Sequence, residues 1–449
     1  MRLSMHSVRQ LSSSVLLCAS LALLVAAKPA TQPQGGGAGG LTAAAFTSAA
    51  RLLAPGGVSL TNLSVVRAPD ASTTVTGTLN GANFLLRFPA AWNHELVLFA
   101  HGYVTPGTPH ALDVFYPDQL DKATQGVLAA AFAQGYAYGY SSYIKEGYAV
   151  HSGIADTELL KRLVNYAASV SRAWVVGESM GGNVVIGLVE QYPGEYAGAL
   201  PYCGVVAGWY QEIRYLTDVR VLYDYYTKPL GAPLALPGAG HAETPDPNLT
   251  LNAVIGSVGA LFGQAAAKPA YAAIIANIAR VTGANPDPIS FLTALAGNTY
   301  GQSDYLATTG GNGYSNIGKI YQGSSNDAAL NAGVERVAAT PAATAYLNAN
   351  YTPTGRFTTK VLSLHNLIDP LVPYQQEPLL KARVAAAGNS ANLVQQVIDP
   401  KPINLADIAN SGPAHCYFTP SQLTYAWNEL RGWTLQGVRP SDGVNITQR

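Results

Sequence analysis

The chain has 449 residues, 48% of them apolar and only 12% charged, and its 26 Lys and Arg balance its 26 Asp and Glu. With no basic excess to neutralise phosphates, nucleic acid is excluded as an expected partner. The length is too great for one ordinary compact domain and suits a large domain carrying an insertion, or two domains.

Arg2 and Arg9 precede an apolar run from Val15 to Ala27, too short for a comfortable membrane span and right for a signal-peptide core. Residues 1–27 read as a signal peptide, so the mature protein is expected to be secreted or periplasmic, with no stable membrane span. A lipoprotein signal cleaved before Cys18 is the rival, but Leu17 is a poor residue in front of such a cysteine. Residues 28–40, with the glycine-rich stretch Pro33 to Gly40, read as a flexible linker. Removing the signal leaves Cys203 and Cys416, either bridged or two buried thiols.

In chain order, Leu41 to Ala54 reads as a short leading helix stopped by Pro55 and Gly56. Ser72 to Leu79 and Ala82 to Phe88, separated by Asn80-Gly81, read as a β-hairpin. Glu95 to Ala100 is a continuous apolar run of the kind a strand buried on both faces shows. A helix is expected over Asp121 to Gln134, a strand over Ala137 to Ser142, and a helix over Asp156 to Ala168. The strand ending at Trp174 to Val176, a helix from Gly182 to Tyr192 and a strand from Ala199 to Gly204 follow. This alternation predicts a parallel sheet with helices on both faces.

From Ala207 to Arg356 the rhythm breaks, with helical patches at Ala272 to Arg280 and Asp327 to Ala339. So long a structureless loop is implausible in a compact domain, so residues 207–356 are expected to form an inserted, mostly helical cap. The domain reading is thus a catalytic domain in two parts, 41–206 and 357–449, interrupted by that cap. The alternation resumes with a strand over Thr359 to His365, a helix from Glu377 to Ala387, a strand from Leu393 to Ile398 and a closing helix from Ser421 to Trp433.

Gly177-Glu178-Ser179-Met180-Gly181 lies between the predicted strand and the apolar helical run Val184 to Val189. A serine on so sharp a turn needs glycines two residues to either side, and the following helix aims free N–H groups at an anion formed there. Ser179 therefore reads as a nucleophile, with Gly177 and Gly181 as its elbow. Its hydroxyl needs a base and a group to orient that base. Asp369, after the strand ending at His365, and His415, before the last helix, supply them in the order this architecture requires. Asp399 is a rival acid, while His365 precedes the acid and reads as a packed strand-end residue. The backbone N–H groups of Tyr103, after His101-Gly102, and of Met180 are the expected oxyanion donors. No metal or cofactor is expected: the eight histidines do not cluster, and no Gly-x-Gly-x-x-Gly follows a strand.

Together these residues resemble the α/β-hydrolase superfamily over 72–206 and 358–433. Within it the chain is similar to secreted bacterial serine esterases with prolyl-oligopeptidase-like catalytic domains, and Tyr202 to Gly208 and the insertion resemble feruloyl and polyester hydrolases. The resemblance implies an α/β fold of mostly parallel sheet, and a Ser-His-Asp enzyme cleaving small-molecule or polymeric carboxylic esters. A serine aminopeptidase or oligopeptidase is the alternative, with Glu212, Asp218 and Asp224 available to bind an amine; a non-catalytic binding protein on this fold is a third. Tyr210, Tyr215, Tyr223, Tyr225 and Tyr226 either wall an aromatic pocket or pack the cap in place.

Overall fold

A computed structural model describes residues 40–53, 58–107, 120–238, 246, 248–403 and 412–449. The signal peptide and all but the last residue of the linker lie outside these residues. The strands are β1 (Leu60–Arg67), β2 (Thr73–Leu79), β3 (Ala82–Phe88), β4 (Glu95–Ala100), β5 (Ala137–Ser141), β6 (Arg172–Glu178), β7 (Gly198–Tyr202), β8 (Lys360–Asn366), β9 (Leu393–Ile398) and β10 (Val444–Asn445). They form one sheet in the order β1-β2-β3-β5-β4-β6-β7-β8-β9-β10. The first three strands pair antiparallel, as does β3 with β5, and from β5 to β10 every pairing is parallel.

Every residue of β4, β5, β7 and β9 is buried, because helices cover both faces. Alternate side chains of β4 go to opposite layers. Leu96, Leu98 and Ala100 join α1 (Ala43–Leu52), α3 (Val150–Ala168), α4 (Met180–Gln191) and α11 (Gln376–Ala386) in one core. Val97 and Phe99 join α2 (Lys122–Ala133) and α12 (Pro420–Gln436) in the other, where Trp174 and Trp427 meet edge to face at 5.2 Å. Local chemistry sets the helix starts. Asp121 accepts from the N–H groups of Ala123 and Thr124 at 2.8 and 3.0 Å, and α12 opens on a reciprocal capping box between Thr419 and Gln422.

Between β7 and β8 the chain is helical, as expected. It holds α5 (Trp209–Thr227), α6 (Leu251–Ala265), α7 (Pro269–Thr282), α8 (Pro288–Thr309), α9 (Asp327–Gly333) and α10 (Pro341–Ala349). Proline opens α7, α8 and α10, where its missing N–H costs nothing. These helices have a core of their own, including Leu222, Val258, Leu261, Ile278, Phe291 and Leu295.

Three expectations need correction. The helix expected from Asp156 begins six residues earlier, at Val150, and carries Gly153 inside it, where a Cβ would meet Val184 at 2.8 Å and so only glycine fits the packing against α4. The helix expected over 327–339 ends at Gly333. The last helix does not close the fold: the chain returns to add β10 beside β9.

Candidate active site

The tip of β6 turns into α4 at Ser179, whose φ of 52° and ψ of −124° lie outside the conformations an L residue ordinarily adopts. The flanking glycines explain how the chain tolerates this. A Cβ on Gly181 would lie 2.0 Å from the carbonyl oxygen of Ala100, and one on Gly177 would lie 2.7 Å from that of Gly181. Strands β4 and β6 are adjacent, so the turn is pressed against the end of β4. Ser179 thereby stands at the N-terminus of α4, where the first N–H groups have no partner within the helix.

Asp369 follows β8 and His415 precedes α12, and the structure brings both to Ser179. His415 Nε2 lies 2.9 Å from Ser179 Oγ, and His415 Nδ1–H donates to Asp369 at 2.8 Å from Oδ2 and 3.0 Å from Oδ1. Asp369 is fully covered by its partners: Oδ1 accepts from the N–H groups of Leu371 and Val372 at 3.0 and 2.9 Å, and Oδ2 from that of Cys416 at 3.3 Å. Burial pushes its carboxyl up, but the charge and hydrogen bond of His415 outweigh this and hold it below the usual carboxylate value. Burial likewise pushes His415 down, and the charge and hydrogen bond of Asp369, with the charge of Glu178, lift it above its ordinary value.

The rival residues are elsewhere. Asp399 accepts from Asn445 Nδ2 at 2.8 Å beside the last strand. His365 is wholly buried, with Nδ1–H donating to the carbonyl of Asn366 at 3.0 Å. His101 is scaffold, stacked on Tyr143 at 3.9 Å with its Nδ1–H on the carbonyl of Gly102 at 2.8 Å. Gly102 passes so near the serine that a Cβ there would meet Ser179 Cβ at 3.1 Å, which sets Tyr103 at the mouth of the site. Met180 is the first residue of α4.

Cys203 and Cys416 form a disulfide, with 5.1 Å between their Cα atoms. It ties the end of β7 to the residue after His415. Among the described residues, Cys203, His415 and Cys416 are also the one grouping of metal-ligating atoms. Their sulfurs are spent on each other, which leaves a single imidazole already engaged with Ser179 and Asp369.

A cavity of about 400 Å³ opens beside Ser179, and apolar surface dominates its walls. Helix α5 supplies Trp209, Glu212, Ile213 and Leu216, and α8 faces it. Tyr148 stacks on Trp209 at 4.6 Å, with Tyr103 on the same ring at 6.5 Å. The early tyrosines of the insertion do not form this wall. Tyr215 and Tyr223 are buried in the insertion's own core, Tyr225 and Tyr226 pack against it, and Tyr210 packs against the sheet's core. The aromatic wall comes instead from Tyr103, Tyr148, Trp209 and Tyr305. Of these, only the position of Tyr103 after the early buried strand gave a sequence signal. Of the three acids considered for amine binding, only Glu212 reaches the cavity. Asp218 is paired with Lys319 and accepts from Tyr314 and Tyr321, both at 2.8 Å, and Asp224 is paired with Arg220 at 3.0 Å.

The sheet order, the strained serine turn and the placement of acid and histidine after β8 and β9 define the α/β-hydrolase fold. An esterase from Aspergillus oryzae superposes on the chain with a TM-score of 0.50 at 14% identity, covering 88% of this chain and 91% of that one. Feruloyl esterase B from Aspergillus oryzae matches over the same shares at 13% identity and a TM-score of 0.48, and a rice cell wall degrading esterase from Xanthomonas oryzae covers 84% of this chain and 99% of its own at 14% identity and 0.42. The last two are too distant to carry an argument. No protein-family model matches the chain, and no curated protein matches it. Among the described residues no helix is long and apolar enough to cross a membrane.

Proposed function

We propose that the protein is an exported serine hydrolase of carboxylic esters, working through an acyl-enzyme on Ser179. The observation that carries this reading is the unbroken row Asp369–His415–Ser179, with its serine end facing an apolar cavity. His415 Nε2 takes the proton of Ser179 as Oγ attacks the ester carbonyl, and Asp369 holds Nδ1–H so that the lone pair on Nε2 faces the serine. The N–H groups of Tyr103 and Met180 receive the oxyanion. His415 returns the proton to the departing alcohol, and water then repeats the sequence against the acyl-serine to free the acid. The neighbouring structures contribute the fold alone. Export is supported by the disulfide, which persists in oxidising compartments.

Reaction of the purified chain with a fluorophosphonate tests the nucleophile: one adduct on Ser179, absent from Ser179→Ala, is expected. No adduct would overturn the enzymatic reading and favour a binding protein on this fold. Peptidase action is the second reading, because Glu212 reaches the cavity. Rates on p-nitrophenyl esters against aminoacyl p-nitroanilides separate the two, with the esters expected to be faster.

A further inference from the structure

The cavity holds an acid that the ester chemistry does not use. Glu212 is 3% exposed and lines the cavity, yet among the described residues no Lys or Arg lies within ion-pair distance of it. Its hydrogen-bond partner is a neutral amide, Gln376 Nε2 at 3.3 Å, whose own oxygen is engaged by the N–H of Ala207 at 2.8 Å. On the same helix Asp218 and Asp224 are both paired with cations, so among the acids of α5 the buried carboxyl without a cation is the one that faces the cavity. The described lining contains no Lys, Arg or His. It does contain the rings of Tyr103, Tyr148, Trp209 and Tyr305.

We propose that this cavity recognises an organic cation, such as an ammonium group on the substrate, with Glu212 as its counter-charge and aromatic rings in its walls. The inference rests on the cavity being the substrate chamber of Ser179. An aromatic enclosure with a single acid and no base is complementary to a cation and repels an anion. A neutral hydroxyl would only exchange one hydrogen bond for another, for little net gain. Burial first, and the charge of Asp369 second, push the Glu212 carboxyl well above its ordinary value, against the opposing effect of Gln376. The titratable groups facing it are Asp369, from the segment after β8, and Tyr215 on α5 itself; α11 presents the neutral Gln376, and α8 presents no charged side chain to the cavity among the described residues. Burial in the empty cavity therefore disfavours the charged carboxylate, and a bound cation favours it, so cation binding and protonation of Glu212 oppose each other.

The probe is choline, compared with its neutral carbon isostere 3,3-dimethylbutan-1-ol, each titrated calorimetrically into the full chain. Choline is expected to bind about tenfold or more tighter than the isostere. Repeating the titration at falling pH should weaken choline binding, as Glu212 gains its proton, and leave that of the isostere unchanged. Glu212→Gln should bring the two ligands within about twofold of each other. Equal binding of the two by the unmodified chain, or choline binding that does not weaken as the pH falls, overturns the proposal; both measurements stand even if Glu212→Gln does not fold. Neither ligand has an ester bond. A chain that refuses the fluorophosphonate can therefore still pass this test, and one that accepts it can still fail, so the two proposals fall separately.

Discussion

The sheet and the helical insertion fix their residues in different ways. Around the sheet, position is set by backbone: Ser179 by a turn that only glycines can flank, Asp369 by peptide N–H groups, His415 by a loop tied to β7. In the insertion, position is set by side-chain packing among helices, as with Tyr223, whose hydroxyl meets Ser257 Oγ at 2.7 Å. Backbone constraints leave a mark in the sequence as glycines, turns and chain order. Side-chain packing leaves only composition. The contrast makes a testable division of labour: changes around the sheet should act on the chemical step, and changes in the insertion on which ester is accepted.

The strongest test of that division is Ser179→Ala or His415→Ala. Each should lower kcat by about a millionfold, with unchanged circular dichroism, because the members of such a row act as a unit. Asp369→Asn should cost about ten-thousandfold, whereas Asp399→Asn, beside the last strand, should leave steady-state rates as they are. The reverse outcome would falsify the assignment of the acid.

pH gives a second measure. His415 must be neutral to accept the serine proton, and Asp369 lifts it above 6.5 despite burial. The acid limb of kcat/KM should therefore fall away at a pH above 6.5, and in the residual activity of Asp369→Asn it should move to lower pH. A limb that stays in place would show that some other group titrates.

Reduction of the disulfide should come next in size. It closes a separation of 213 residues, for which chain entropy allows up to about 5 kcal/mol. Activity is expected to fall at reductant concentrations that leave the far-ultraviolet dichroism intact, since the loop carrying His415 is released first. Coincident loss of both signals would mean that the bridge holds the whole fold and not the loop.

The smallest effects should come from the insertion. Trp209→Ala should raise KM for bulky aromatic esters by about tenfold and leave acetate esters within about twofold, because a stacked ring is lost from the wall. Tyr223→Phe should lower stability by about 1 kcal/mol through its lost hydrogen bond and leave selectivity unchanged. If Tyr223→Phe shifted selectivity as Trp209→Ala does, the two regions would not divide as described.

How much of this was legible follows the same line. The alternation of strands and helices around Ser179, and the places of Asp369 and His415 after later strands, could be read because parallel strands buried on both faces appear as unbroken apolar runs. Strand β1 could not, since none of its residues is buried and a register shift between Thr61 and Ser64 breaks the alternation of Leu60, Leu63 and Val65. Two-residue β10 is too short to show any period. Helix α5 hid its orientation for the opposite reason. All of its residues from Tyr215 to Asp224 are buried, so no polar face marked which side met the cavity. The tyrosines drew attention as a group, whereas the wall was built from Trp209, Glu212, Ile213 and Leu216, which recur at helical spacing.

The bond between Cys203 and Cys416 has one more consequence. The entire insertion, with β8, α11 and β9, lies between the two cysteines, so the bond turns this part of the chain into a covalent ring. A protease cutting anywhere in that ring leaves one molecule, because both new ends stay attached through the sulfurs. Nicked protein would run as a single species on a denaturing gel until reductant is added, and only then as two. The long helical excursion is thereby secured at its root, whatever happens along its length.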